Sequence, residues 1–301
     1  MPNRKLISPE HWASVQLEQE REKAIQVFVD RRLSEGDPDY LRQFAESERM
    51  VAEFLDLSGN LLVAKPEIFL NRVDLLEDIG RFVAGPPISA DDFRTLLGIK
   101  KLHSGEKSEV SEALALIGSL IDSSRFRWVS EKRKPTKIEL QSSIVATASL
   151  RAVERARTER RSSEKERQES YVAQFIREIR LNEVERVSHP DNDMLPGSFK
   201  RGVKIEGKQC DVLVRLYDER FLAIECKSSN SAVNSIKRLN DVSDKAQVWK
   251  TARGAKVITA GVLAGVFDLQ SLETAQEKSV FLFWEHNLKP LKSFLVATRK
   301  A

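Results

Sequence analysis

The sequence predicts a mixed α/β protein, an α+β arrangement in which an all-helical N-terminal domain over residues 1–165 precedes a mixed sheet carrying helices over 166–301. Three observations predict it. In the first part, apolar residues recur at helical spacing between Gly, Pro and Asn breaks. From residue 199 onward, short apolar runs at 199–205, 212–216, 221–224, 257–264 and 280–284 alternate with helical patterns. Charge divides the chain in the same sense: residues 1–124 hold 15 Lys+Arg against 22 Asp+Glu, a balance of −7, so with +4 overall residues 125–301 carry +11.

Apolar residues at 41% and charged residues at 31% are ordinary for a globular chain and exclude wholesale disorder. The longest apolar run, 257–267, is far shorter than a membrane span, and MPNRKLISPEHW lacks the apolar core of a secretory signal. A cytoplasmic protein with no membrane partner is expected. In that compartment Cys210 and Cys226 read as buried reduced thiols, and His11, His103, His189 and His286 are too scattered for a zinc site. The basic second part suggests a polyanionic partner.

Taken in order, 9–40 reads as a helix with Val15, Ala24, Val27 and Phe28 inward and a stop at Gly36-Asp37-Pro38. A second helix covers 39–57 and ends at Ser58-Gly59-Asn60. Pro66 suits the first turn of a helix holding Ile68, Phe69, Val73 and Leu76. Pro86-Pro87 breaks the chain, and Ser89 caps a helix with Asp91 and Asp92 in its first turn. Another apolar helix spans 110–121. Residues 138–182 are helical in composition with an almost wholly polar middle, which reads either as one exposed helix laced with ion pairs or as two helices meeting near 161–163. From Tyr171, the positions of Val172, Phe175, Ile176 and Ile179 give it a face that can pack on a sheet, and Glu169 or Glu178 can come near a site there. After the strands 199–205, 212–216 and 221–224, residues 231–251 form one or two helices with Ala232, Ile236 and Leu239 inward. A buried strand at 257–264, a short helix at 269–276 and a strand at 280–284 complete the pattern.

The chemistry gathers at 209–240, QCDVLVRLYDERFLAIECKSSNSAVNSIKRLN. Two apolar strands flank Tyr217-Asp218-Glu219-Arg220, so a hairpin is expected. Asp211, Leu213 and Arg215 share one face of the first strand; Phe221, Ala223, Glu225 and Lys227 share one face of the second. If Tyr217 pairs with Phe221 across a three-residue loop these faces coincide, Leu213 falls opposite Glu225 and Asp211 opposite Lys227; a two- or four-residue loop turns Asp211 away. Two neighbouring carboxylates repel unless one is protonated or a cation lies between them. Mg²⁺ suits two carboxylates, with the Cys226 carbonyl as a further ligand, and such a metal with Lys227 beside it can activate water against a phosphodiester.

Asp211, thirteen intervening residues, then Glu225-Cys226-Lys227 resembles the D…ExK signature of the PD-(D/E)xK nuclease superfamily. The flanking text AIECKSSNSAVNSIKRLN, then KAQVWK, GVLAGVF and FWEH, resembles more narrowly the XamI-type Type II restriction endonucleases over roughly 125–298; Cys210 stands where the superfamily has proline. The resemblance implies an αβββαβ core and a Mg²⁺-dependent endonuclease that cuts double-stranded DNA at a specific sequence, leaving a 5′ phosphate. Asp211, Glu225 and Lys227 would be its catalytic residues, and Asp211, Glu225 and Cys226 its metal ligands. It further implies a homodimer on a palindromic site, and a DNA methyltransferase in the same system as a functional rather than physical partner. The rivals are a structure-selective or repair nuclease on the same core and a non-catalytic DNA-binding regulator.

Two segments are candidates for DNA contact. In RFRWVSEKRKPTK, Arg125, Arg127, Lys132, Arg133 and Lys134 are interleaved with Phe126 and Trp128, a pattern that can clamp phosphates and stack on bases, or equally form a solvated basic loop anchored by two core aromatics. In the helix after the motif, Asn230, Asn234, Lys237, Arg238 and Asp241 form one polar strip, with Ser229 or Asn230 as cap at an N-terminus able to hold a phosphate; a solvated face is the plain alternative. The acidic N-terminal domain is assigned to recognition or assembly.

Overall fold

In the computed structural model, residues 6–34 and 38–299 are described. In chain order the helices are α1 (Ser14–Ser34), α2 (Pro38–Leu57), α3 (Pro66–Phe69), α4 (Val73–Val83), α5 (Ala90–Leu97), α6 (Lys107–Leu120), α7 (Arg127–Ser130) and the 42-residue α8 (Lys137–Glu178). There follow β1 (Asn182–Glu183), α9 (Pro190–Asp193), β2 (Ser198–Ile205), β3 (Lys208–Arg215), β4 (Phe221–Asn230), α10 (Ala232–Arg253), β5 (Val257–Val266), α11 (Leu269–Glu277), β6 (Val280–Trp284) and α12 (Lys289–Ala297). The six strands form one mixed sheet in sequence order: β2, β3 and β4 are an antiparallel meander, while β1 on β2, β5 on β4 and β6 on β5 are parallel. No helix among the described residues is long and apolar enough to cross a membrane.

Contacts divide the chain into two units, Met1–Gly36 with Arg161–Ala301, and Asp37–Arg160. The first contains the sheet. One face of the sheet, with Val212, Val214, Leu222, Ile224, Ala260 and Val262, packs against Val172, Ala173 and Ile176 of α8 and Leu291, Phe294 and Leu295 of α12. On the other face, Leu263, Leu282 and Trp284 meet Leu17 and Ala24 of α1, Leu239 and Val242 of α10 and Leu272 of α11. Trp249 of α10 packs there with Leu213, Phe221 and Ala223, its indole N–H donating to the Ile205 carbonyl at 2.8 Å. The first part of β4, residues 221–224, is buried on both sides, which is why it reads as a short unbroken apolar run. The second unit is wholly helical, around Phe54, Phe69, Ile79, Phe93, Ile117, Phe126 and Trp128.

Several expected details take another form. The first helix belongs with the sheet rather than with the helices that follow it, and its inward residues are Leu17, Glu20 and Ala24, whereas Val15 and Val27 are exposed. The expected stop at Gly36-Asp37 lies outside the described residues. The helix begun by Pro66 ends at Phe69, and Val73 opens a new one. Residues 137–178 form a single helix rather than two. In α10 the buried stripe is Ser235, Leu239, Val242, Ala246 and Trp249; Ala232 and Ile236 face out. The Ser235 hydroxyl oxygen accepts the Asp268 backbone N–H at 3.0 Å, a bond isoleucine cannot make. Ser89 does cap α5, in a reciprocal capping box with Asp92.

Candidate active site

The hairpin that carries the motif closes one residue earlier than a Tyr217–Phe221 pairing requires. Leu216 N–H donates to the Arg220 carbonyl at 2.8 Å, so the three loop residues are Tyr217, Asp218 and Glu219, with Glu219 at φ +70. Arg220 is drawn into the ladder because its guanidinium is held by the Asp218 carboxylate, 2.6 Å away, and by the Ile7 carbonyl. The register pairs Val212 with Ile224 and Leu213 with Ala223. The expectation that Leu213 opposes Glu225 and Asp211 opposes Lys227 is thereby corrected by two positions. An even shift preserves the faces, so the carboxylates stay together: Asp211 falls level with Glu225.

At that level the two strands part. The Asp211 carboxylate takes the place of a main-chain partner, its Oδ2 accepting the Cys226 N–H at 2.8 Å. β4 runs on beside β5 as far as Asn230, and Glu225 on it is fully buried. Its Oε2 accepts two ammoniums, Lys227 Nζ at 2.9 Å and Lys245 Nζ of α10 at 2.6 Å, while Oε1 has no hydrogen-bond partner. Lys227 Nζ also reaches Asp241 Oδ2 of α10 at 2.8 Å. From α8, Glu169 offers a second buried oxygen without a hydrogen-bond partner; Lys165 Nζ stands 3.5 Å from it and 4.0 Å from Asp211 Oδ1, and Arg201 of β2 lies 3.6 Å from the other Glu169 oxygen. Gln168 next to it donates to the Val262 carbonyl at 3.1 Å and fixes this part of α8 on the strands.

Burial pushes the Glu225 carboxyl above its ordinary range and the Asp211 charge adds to the push, against the pull of Lys227 and Lys245. Glu169 is raised for the same two reasons, burial first and Asp211 second. Burial disfavours the Lys227 charge, yet Glu225 and Asp241 hold its ammonium above the usual lysine value. Burial carries both Cys210 and Cys226 well above the usual thiol range, so they stay neutral, and both are free. The site is therefore a buried acidic centre, approached by α8 on one side and by the acid and lysine of α10 on the other.

A family profile described as XamI restriction endonuclease matches residues 60–284 of this chain. The chain belongs to the XamI restriction endonuclease family. Type II restriction enzyme XamI of Xanthomonas campestris pv. amaranthicola is 30% identical to it over 254 residues, which cover 80% of this chain and 92% of that enzyme. The XamI match begins at residue 60, well before the stretch whose wording resembles the family, so most of the helical unit is part of the shared chain.

Set in a XamI-family enzyme, the expected DNA contacts divide. Arg125 is bound within its own unit: it pairs with Asp122 at 2.7 Å and donates to the Phe82 and Ala84 carbonyls and to Thr147 Oγ1. Phe126 and Trp128 are core residues. Arg133 is paired with Glu131 and Glu139, and Arg127, exposed, with Glu131. Lys132 and Lys134 are exposed. Ser229 is buried and donates to the Ser231 carbonyl, so neither it nor Asn230 caps α10; Ser231 does, accepting the Asn234 N–H. Asn234, Lys237, Arg238 and Asp241 are exposed along α10 as the spacing implies, whereas Asn230, also exposed, ends β4 and accepts the Asn234 side-chain amide at 3.0 Å. Of the two α8 glutamates expected near the site, Glu169 reaches the centre and Glu178 is an exposed partner of Gln174. Lys245, Lys165, Gln168 and Arg201 were not singled out by the sequence.

Among the described residues no three His, Cys, Asp or Glu side chains already form a metal-holding group. A hard divalent cation needs less than that, since one or two carboxylates with water and phosphate oxygens commonly suffice for Mg²⁺. The Asp211–Glu225 pair fits it, because Glu225 Oε1 is a buried carboxylate oxygen with nothing bound to it.

Proposed function

We propose that this chain hydrolyses phosphodiester bonds of double-stranded DNA at a specific sequence in a Mg²⁺-dependent reaction that leaves a 5′ phosphate. The observation that carries the reading is the buried Asp211–Glu225 pair, with Glu225 Oε1 unpartnered and the Lys227 ammonium beside it. The succession of α8, the meander β2–β4, α10 and β5 supports a PD-(D/E)xK core of αβββαβ form. Asp211, Glu225 through Oε1, and the Cys226 carbonyl would hold the Mg²⁺, which when bound would polarise the scissile phosphate and activate water for in-line attack. Lys227 would hold a phosphate oxygen or the attacking water with its three donors. Asp211, by accepting the Cys226 N–H, fixes the part of β4 that carries both Glu225 and Lys227. As for other restriction enzymes of this type, a homodimer on a palindromic site and a protecting methyltransferase complete the proposal.

Incubation with a long phage DNA tests it. Discrete fragments with 5′ phosphates in Mg²⁺, and none in EDTA, are expected. A smear would indicate a structure-selective or repair nuclease, and tight binding without cleavage a regulator.

The exposed strip on α10 would meet the duplex, Lys237 and Arg238 at phosphates or guanine edges and Asn234 at adenine. Lys237→Ala and Arg238→Ala, measured in Ca²⁺ so that no cutting occurs, are expected to weaken DNA binding at least tenfold, about 1.4 kcal/mol. A phosphate contact would also lower the salt slope of binding by about one unit. If both variants bind cognate DNA like the wild type across a salt titration, the strip is a solvated face.

A further inference from the structure

The cleavage reading leaves Lys245 of α10 without a task, although its ammonium is the closest group to the Glu225 carboxylate. Lys245 Nζ is 2.6 Å from Glu225 Oε2, and Lys227 Nζ meets the same oxygen at 2.9 Å. Lys245 is held well inside the protein, and Asp241, one helical turn before it, holds Lys227 at 2.8 Å. α10 thus supplies a counter-charge to each charged member of the Glu-Cys-Lys motif: lysine to the glutamate, aspartate to the lysine. Two ammoniums on one oxygen are more than Glu225 needs at rest. The second becomes necessary once the first leaves.

We infer that Lys245 is a positioning residue that keeps Glu225 Oε2 bonded when Lys227 turns from it to the DNA, so that Lys227 is free to work. A buried carboxylate oxygen left without a donor is costly, so without Lys245 the departure of Lys227 is opposed in every turnover. Arginine can take over the bond; methionine, of similar length, cannot. The inference rests on the cleavage reading above, with Glu225 and Lys227 as its acting residues.

The test compares wild type, Lys245→Met and Lys245→Arg, each first shown to be folded by its melting temperature. Single-turnover cleavage at saturating Mg²⁺ is expected to fall at least tenfold in Lys245→Met and to recover most of that loss in Lys245→Arg. Calorimetric titration of Ca²⁺ into each protein bound to DNA should show affinity unchanged or tighter in Lys245→Met, because an ammonium is not a ligand and its removal takes a like charge from beside the cation. A purely structural role predicts weaker Ca²⁺ binding in step with the lost rate, and that result would overturn the inference, as would Lys245→Met cutting at the wild-type rate. Should wild type itself show no Mg²⁺-dependent cleavage, the underlying reading fails instead.

Discussion

Glu225→Gln and Asp211→Ala are each expected to reduce cleavage by on the order of a thousandfold or more, to or below the detection limit of a gel assay, with the protein still folded. Glutamine keeps the shape of Glu225 and can still pack in its buried position between β5 and α10, but it has no charge to offer a cation at the unpartnered Oε1 position. Alanine at 225 is the harsher change, because it removes the carboxylate that both the Lys227 and Lys245 ammoniums meet and leaves them only Asp241 Oδ2, 2.8 Å from Lys227 and 3.9 Å from Lys245. Asp211→Ala removes both a carboxylate from the pair and the acceptor of the Cys226 N–H. Lys227→Ala should lose rate to a similar extent with little loss of Ca²⁺ affinity, since it supplies donors rather than ligands. Purified variants assayed on phage DNA, with Ca²⁺ affinity followed by calorimetry, separate these effects. Near wild-type cutting by any one of the three would refute the assignment.

The carboxylate pair at the centre of the candidate site was legible in the sequence because its placement depends on local features. Period-two alternation places Asp211 and Glu225 on coinciding faces for any odd loop, so the two-position error in register left the pair intact. Strand β6 and the Ser89 cap were legible for the same reason: each depends on a short run of side chains and its neighbours. Lys245 was not legible. It lies 18 positions after Lys227, and only the parallel pairing of β5 with β4 makes the helix between them run back over the motif, bringing Asp241 and then Lys245 to it. The exchange of Ile236 for Ser235 on the buried side of α10 has a similar origin, because the Asp268 N–H that Ser235 satisfies comes from a distant loop. The C-terminal helix Lys289–Ala297, which covers one face of the sheet, was not anticipated, nor was the docking of α1 on β5; a helical stripe states that a helix is half buried but not against what. Arg125 shows the converse, since a basic residue in a basic segment looks available for DNA until its carbonyl partners are known.

In the helical unit, the largest stability effect is expected at Asp78. This carboxylate of α4 is mostly buried and sits among three arginines: Arg151 at 2.6 Å, Arg155 at 2.8 Å and, across its other oxygen, Arg81 at 3.5 Å. Arg151 and Arg81 are themselves almost wholly buried, and Arg151 reaches Ser47 of α2 as well, so one acid ties α4, α2 and the first half of α8 together. Burial disfavours the Asp78 charge, but the Arg151 and Arg155 guanidiniums more than compensate and hold its carboxyl below the usual range. A folded value below the unfolded one means that this stabilisation is present above the unfolded pKa, near 4, and is lost as pH falls through the folded value. Asp78→Ala takes from the buried Arg151 guanidinium its carboxylate acceptor, which should cost about 3–5 kcal/mol, the usual penalty for breaking a buried pair from one side. Arg81 keeps Glu154 at 2.9 Å, whereas Arg151 keeps only the Ser47 hydroxyl, so the loss should fall mainly on Arg151. Asp78→Ala combined with Arg151→Met should therefore lose less than the two single variants summed, by 1 kcal/mol or more, within the range typical of residues in one network. Urea unfolding at pH 7 and at pH 3 measures both quantities. An Asp78→Ala protein as stable as wild type at pH 7, or one whose deficit does not shrink at pH 3, would show that the arginines are satisfied without it.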